Sequence, residues 1–330
     1  MLVLQLRAGL CETRHQVSAV AVSATGGPTA DPCWRTGPEV GSTWRSAAKP
    51  LQLRACLDAL GDPSSLGDVD LAIAASSHSG QDGHLAAVRH LLDRFGVDEA
   101  ELRCGAEPPV HRPTLAALLA AGEPPRPIHN DCSGKHAMML AACHARGWPV
   151  DDYRDPDHPL QRGVIDLAHQ WCGQVPGVAT DGCGVPTLWL SLTGMARAWA
   201  RIAAAMADAA VDPTLHRIGR AMAAHPWWTS GDDRLDLALA RRVVGPPPDH
   251  YVGKIGARGL FCVALPSRGL GVAIKVADGD EDALAVAVPA VLEAVAPGTL
   301  APAPRWPWAT IRDVIGRPVG QRLVRDDNGA

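Results

Sequence analysis

Tyrosine and phenylalanine are nearly absent: two of each in 330 residues, beside ten tryptophans. Tryptophan at that share reads as packing rather than as a functional feature. No apolar run reaches the ~20 residues of a membrane helix, so a helical span is not expected. The opening MLVLQLRAGLCETRH lacks a basic n-region, and Arg7 interrupts its apolar start. It does not read as a signal peptide but as an early or edge strand, and the expected compartment is the cytoplasm. The nine cysteines include no Cys-x-x-Cys pair. An odd number in a reducing compartment argues against a disulfide framework. Most should be small buried hydrophobes, and a special one would be a metal ligand or a nucleophile. Basic residues are scattered and the net charge is −4, so neither nucleic acid nor membrane is an expected partner. No internal repeat occurs, and only the polar tail RDDNGA reads as frayed.

What is there is an ordinary globular composition, 47% hydrophobic and 20% charged, enough for one large core or two packed lobes. Residues 2–6 and 16–22 are short apolar runs around a polar turn, a hairpin opening a sheet. Residues 49–62 have helical spacing and end at Gly61 and Pro63. Residues 70–75 read as a short buried segment. Residues 83–95, 114–121, 135–145 and 159–172 read as helices, and 187–209 as the longest one. After 250 the stretch YVGKIGARGLFCVALPSRGLGVAIKVADG alternates β-type runs with glycine turns, an antiparallel meander, and a helix follows over 281–296. Strands at both chain ends and helices between them predict an α+β fold. A sheet lobe of about 1–45 and 250–330 would carry an inserted helical lobe of about 46–249.

Five stretches carry chemistry. In WRSAAKP, residues 44–50, Ser46 and Lys49 are three apart and share a helix face. A serine hydroxyl is a weak nucleophile until a base takes its proton, and a lysine in a desolvated or cationic setting is such a base. The same residues also read as a helix-capping serine and a surface lysine. In ASSHSGQDG, residues 75–83, three hydroxyls and His78 end a buried run, as a site edge or as a capped turn. In HNDCSGKHAMML, residues 129–140, Asn130 and Asp131 precede Cys132, Lys135 and His136 at a helix start. Cysteine with His136, or with a neutral lysine, suits zinc; a buried cysteine is the alternative. In TDGCGVPT, residues 180–187, glycines on both sides let a tight turn present Cys183. One thiolate from each stretch is incomplete for a closed structural zinc site and suits an open one that keeps a water. In VGKIGARG, residues 252–259, Lys254 beside glycine either reaches into a cleft or lies exposed on its strand. The order S-x-x-K, Ser-rich loop, strand K-x-G is that of penicillin-binding proteins and serine β-lactamases, although S-D-N and K-T-G are absent.

Taken together, RSAAKP, SSHSG, HNDCSGKH, DGCGVP and GKIGARG resemble the asparaginase II family, the rhizobial-type L-asparaginases. RAGLCETRH and DYRDPDHPLQ fit the same family, so the likeness runs from about residue 7 to 280. The resemblance implies a serine β-lactamase-like fold forming one catalytic unit, and hydrolysis of L-asparagine to aspartate and ammonia. It implies Ser46 with Lys49 as one Ser–Lys pair and Ser77 with Lys254 as a second. Cys132, Lys135 and Cys183 would hold one Zn2+ per chain, with affinity rising with pH because a ligand lysine must lose its proton. Arg45, His136 and Asp181 would shape the substrate pocket, and a homodimer is expected. Two positions depart from the family: Asp131, where asparagine is more usual, and Arg258, where an acidic residue is more usual. Both are expected near the site and bear on substrate preference. Three alternatives stay open: an S-x-x-K hydrolase for another amide or ester, a glutaminase-like enzyme, and a non-catalytic zinc or amino-acid binder. A glutamine is one methylene longer, a difference worth only ~1–3 kcal/mol in an apolar pocket.

Overall fold

A strand buried on both faces is apolar at most successive positions, and Val17–Val22, with Ser18 as its polar exception, is such a run. It forms the inner half of the second strand in a computed structural model that describes residues 1–303 and 306–326. Of the tail RDDNGA, residues 327–330 lie outside the described residues. In chain order the strands are β1 (Leu2–Arg7), β2 (Leu10–Ser23), β3 (Pro32–Thr36), β4 (Gly41–Thr43), β5 (Gly177–Thr180), β6 (Pro186–Ser191), β7 (Val252–Gly256), β8 (Leu260–Leu265), β9 (Leu270–Val276), β10 (Thr310–Arg312) and β11 (Pro318–Arg325). The main sheet runs β10-β11-β1-β2-β9-β8-β7, with β3 also on β2, and every pairing is antiparallel. A small sheet, β4-β6-β5, stands beside it.

Alternation along β2 divides the core. Val20 and Val22 join the cluster that contains Ala196 and Trp199 of the helix Leu192–Ala207. Ala19 and Ala21 join the cluster of the helix Glu281–Val295. Helices therefore cover both faces. Gly271 permits the closest of these contacts: a Cβ there would fall 2.0 Å from the backbone N of Ala200. The strands come from both chain ends and the helices Lys49–Leu60, Asp82–Phe95, Ser133–Arg146 and Pro159–Cys172 lie between them in sequence, as expected for an α+β fold. Among the described residues no helix is long and apolar enough to cross a membrane.

Several elements differ from expectation, among them the unread helix Pro213–Ala224. The run 187–209 is not one helix: its start is β6, and the helix begins at Leu192 after Ser191, whose hydroxyl accepts the Gly194 N–H at 3.0 Å. Residues 70–74 fall within the helix Asp68–Ala74, and Ala75 caps it. Residues 310–325, read as no element, form β10 and β11 and bring the C-terminus alongside β1.

Candidate active site

β7 ends the main sheet, so one of its edges is free of strand partners. It borders the segment that carries Ser46. β4 leads into a corner where Trp44 N–H bonds Leu188 O at 2.7 Å, and then into a short 3-10 turn, Arg45–Ala48. Arg45 at the corner has φ +50°, a left-handed conformation that costs a non-glycine residue about 1 kcal/mol. Tertiary contacts hold it there. Its N–H donates to Thr187 Oγ1 at 3.2 Å, and its Nε meets Asp181 Oδ1 at 2.6 Å. Trp44 is buried beneath the corner, and Trp199 Nε1 donates to Ala47 O. Ser46 is thereby left half-buried at the cleft.

The two lysines do not pair as the motifs suggest. Lys49, 1% exposed, donates to Ser77 Oγ at 2.8 Å and to Ser76 O, so the lysine of the first motif sits on the serine of the second. Lys254 is fully buried, which excludes an exposed strand lysine, and its ion-pair partner is Asp236 at 3.5 Å. Burial pushes Lys254 down to about 8; Asp236 opposes the shift, while Lys49 and Arg234 add to it. The same Asp236 oxygen accepts the Ile255 N–H at 2.8 Å, which ties β7 to the helix Leu235–Ala240. Sequence reasoning missed Asp236. Its signal was a lone charge inside the apolar run LDLALA.

Asp236→Asn would keep the volume and an acceptor for Ile255 but strip Lys254 of its counter-charge. Breaking a buried ion pair costs about 3–5 kcal/mol, less where the stranded group can lose its proton, as Lys254 can. The expected result is a Tm several degrees below wild type in calorimetry at pH 7. An unchanged Tm would mean that the pair adds nothing to stability.

The cysteine stretches converge. The turn Asp181–Gly184, closed by the Gly184 N–H on Asp181 O and by a positive φ at Gly184, sets Cys183 beside Lys135, Nζ to Sγ 3.2 Å. Cys132 lies against Cys183 as well. Its hydrogen bond is the main influence holding the Cys183 thiol well below the usual range, against burial and with help from Lys135 and His136. Lys135 in turn is held above its ordinary value: burial works against its charge, and Cys183 and Cys132 outweigh it. His136 is buried behind this group rather than lining the cleft. Its Nδ1 meets Tyr153 OH at 2.6 Å; burial lowers its basicity, and the neighbouring Cys183 opposes that shift.

Beside these residues lies one cleft with two chambers that share Ser46, Asp131 and Ala257. One chamber, about 390 Å³, is lined by Arg45, Glu107, Asn130, Cys132, Asp181 and Cys183. The other, also about 390 Å³, includes Ser77, Val110, Arg234, Leu235, Ile255 and Trp308. Of the two departures, Asp131 faces both chambers. Burial disfavours its charge, yet Lys49 and the Cys132 hydrogen bond hold its carboxyl below the usual range. Arg258 follows Ala257, which lines both chambers, so it lies near the site as expected. It is exposed at the tip of the β7–β8 hairpin with φ +65°, followed by Gly259 at +72°. His78, the other singled-out residue, is buried scaffold: Gly80 N–H donates to its Nδ1, so its Nε2 donates to Ser133 Oγ at 2.8 Å. Burial, with His84 nearby, pushes it down to about 3 and keeps it neutral.

A half-buried serine on a polar cleft, a lysine one turn on and a second buried lysine from the sheet edge are the equipment of a Ser–Lys acyl-transfer enzyme. The chain belongs to the L-asparaginase II family, whose model matches residues 3–322. Comparison with curated proteins gives no match. Among solved structures the chain is similar to a β-lactamase from Mycobacterium bovis, at 15% identity over 86% of this chain and 95% of that one, TM-score 0.46. It is similar to Mglu in its native form at 12% identity over 84% of this chain and 63% of that one, TM-score 0.44. It is also similar to a mutant of simvastatin synthase from Aspergillus terreus at 14% identity over 79% and 84%, TM-score 0.37. Likeness at these levels says nothing about chemistry.

Proposed function

We propose that this protein is an L-asparagine amidohydrolase in which Ser46 is the nucleophile. The observation that carries the reading is the placement of Lys49 on Ser77 Oγ at 2.8 Å within a cleft that Ser46 lines, in a chain of the L-asparaginase II family. A neutral lysine amine has two N–H donors and one lone pair. Ser76 O and Ser77 Oγ take the donors, which leaves the lone pair for the Ser46 proton. As Ser46 Oγ bonds to the side-chain amide carbon, Lys49 takes its proton, and Ser77 passes a proton to the departing ammonia. Lys254, buried near enough to Lys49 to feel its charge, would be the second lysine of this relay. Backbone N–H groups of the turn that holds Ser46 are the natural donors to the oxyanion. Water then hydrolyses the aspartyl ester. Arg45, Asp181 and Glu107 give the polar chamber both charge signs, as a zwitterionic amino acid requires.

The donor set fits a zinc ion: two sulfurs and an amine converge, and one of the sulfurs is a stabilised thiolate. Among the described residues no three His, Cys, Asp or Glu side chains are placed to hold a metal, and this set reaches three ligands only with its lysine. Cys132, Lys135 and Cys183 would hold the ion, and bound zinc would supply a Lewis acid beside the polar chamber. His136, against Cys183, would orient a ligand rather than touch substrate. Metal analysis of protein loaded with zinc and then desalted should give about one zinc per chain, reduced at least tenfold in Cys132→Ala and Cys183→Ala. Full-occupancy zinc in both variants would remove these residues as ligands.

The function itself is tested by ammonia release from asparagine, glutamine and β-aspartyl substrates. Turnover of asparagine above the other amides is the expected result, and no ammonia from any of them would end the amidohydrolase reading. A dimer and a cytoplasmic location remain part of the proposal, and size measurement in solution tests the former.

A further inference from the structure

We propose that the second chamber is a subsite for the amine half of the scissile amide, so that N4-substituted L-asparagines with an apolar or aromatic amine are substrates. This rests on the amidohydrolase reading and extends it. The two chambers meet at Ser46, so a scissile carbonyl there has one chamber on either side. The polar chamber suits the amino-acid half. The other is mixed: Val110, Leu235, Ile255 and Trp308 form apolar walls, and Asp131, Asp233, Glu281 and Asp282 with Arg234 supply charge. Asparagine releases ammonia, a molecule about the size of water, whose share of liquid volume is ~30 Å³. A chamber of about 390 Å³ is an order of magnitude larger than that leaving group. Its volume and apolar walls suit a ring or a short alkyl chain, and its carboxylates would meet the amine that leaves.

The Trp308 wall is fixed in place. Its neighbour Trp306 packs against it with centroids 4.9 Å apart, lies under the Arg242 guanidinium at 4.7 Å and donates from Nε1 to Ala285 O at 2.7 Å. Arg322 donates to Trp308 O at 2.9 Å. β11 and the segment Pro307–Ala309 therefore build one side of the chamber, although no sequence motif points to them. The reaction needs no further reagent. Ser46 Oγ bonds to the amide carbon and the C–N bond breaks. The nitrogen leaves as a neutral amine carrying the proton taken from Ser46 through Lys49 and Ser77. Water then converts the aspartyl ester to aspartate.

The test compares L-asparagine with N4-benzyl-L-asparagine, measuring aspartate from both and benzylamine from the second. Full-length protein should hydrolyse the benzyl amide with kcat/KM within about tenfold of asparagine. Trp308→Ala should lower kcat/KM for the benzyl amide at least tenfold and leave asparagine within about twofold. Val110→Trp, an exposed position where folding is not at risk, should do the same by filling the chamber. Asparagine turnover without any benzylamine release would overturn the subsite, as would variants that slow both substrates equally. Turnover of neither substrate would overturn the amidohydrolase reading and the subsite with it, and the asparagine control tells that case apart.

Discussion

Ser46→Ala should lower ammonia release from L-asparagine on the order of 10⁴-fold or more, as removal of a serine nucleophile does elsewhere. No other group replaces an oxygen that must bond to the amide carbon. Ser77 is the nearest competitor, but Lys49 and the buried position at the end of the helix Asp68–Ala74 hold it. The fold should survive. Ser46 is half-buried, and its backbone carbonyl, not its hydroxyl, accepts the Lys49 N–H that links turn and helix. A surface-type substitution of this kind stays within about 0.5 kcal/mol. Circular dichroism and Tm should therefore match wild type while turnover vanishes. Near wild-type ammonia release from well-folded Ser46→Ala would transfer the nucleophile to Ser77, and Ser77→Ala would then be the inactive variant.

The site was legible where chemistry is local and illegible where it depends on packing. Motifs far apart in the chain name Ser46, Ser77, Asp131, Cys132, Asp181 and Cys183, and all of these line one cleft. The Cys183–Lys135 contact follows from the pairing of the two cysteine stretches. Which lysine meets which serine did not follow. Lys49 reaches Ser77 across 28 positions, and that geometry depends on how the helix Lys49–Leu60 lies against the loop. Asp236 was invisible for the same reason, since its partner lies 18 positions on, in a strand of another layer. In the fold, β6 was absorbed into a helix because PTLWLS is a short apolar run, where a period of two and a period of 3.6 cannot be separated. β10 and β11 were lost because their side chains are mostly exposed or half-buried, so no apolar alternation marks them.

Lys254→Met should lower turnover at least ~100-fold and remove a step in the pH profile. Met matches the length of the side chain without its charge. In the wild type Lys254 loses its proton near pH 8, because burial disfavours the cation more than Asp236 supports it. If the neutral amine takes part in the Ser77 relay, activity rises with pH through that value and levels off above it. The linkage to stability has the same sign. Free lysine holds its proton to ~10.4, so between about 8 and that value the unfolded chain binds more protons than the folded one, and stability rises with pH across this window. Both effects should disappear in Lys254→Met. The substitution also leaves Asp236 buried without its counter-charge, so a loss of stability would masquerade as a loss of chemistry. The double variant Asp236→Asn, Lys254→Met separates the two. It removes both charges at nearly constant volume, a change that is often neutral for stability. If Lys254 serves the chemistry, the double variant regains Tm but not turnover, and its pH profile stays flat through 8. Recovery of turnover together with Tm would show that Lys254 only balances Asp236 and would reduce the catalytic set to Ser46, Lys49 and Ser77.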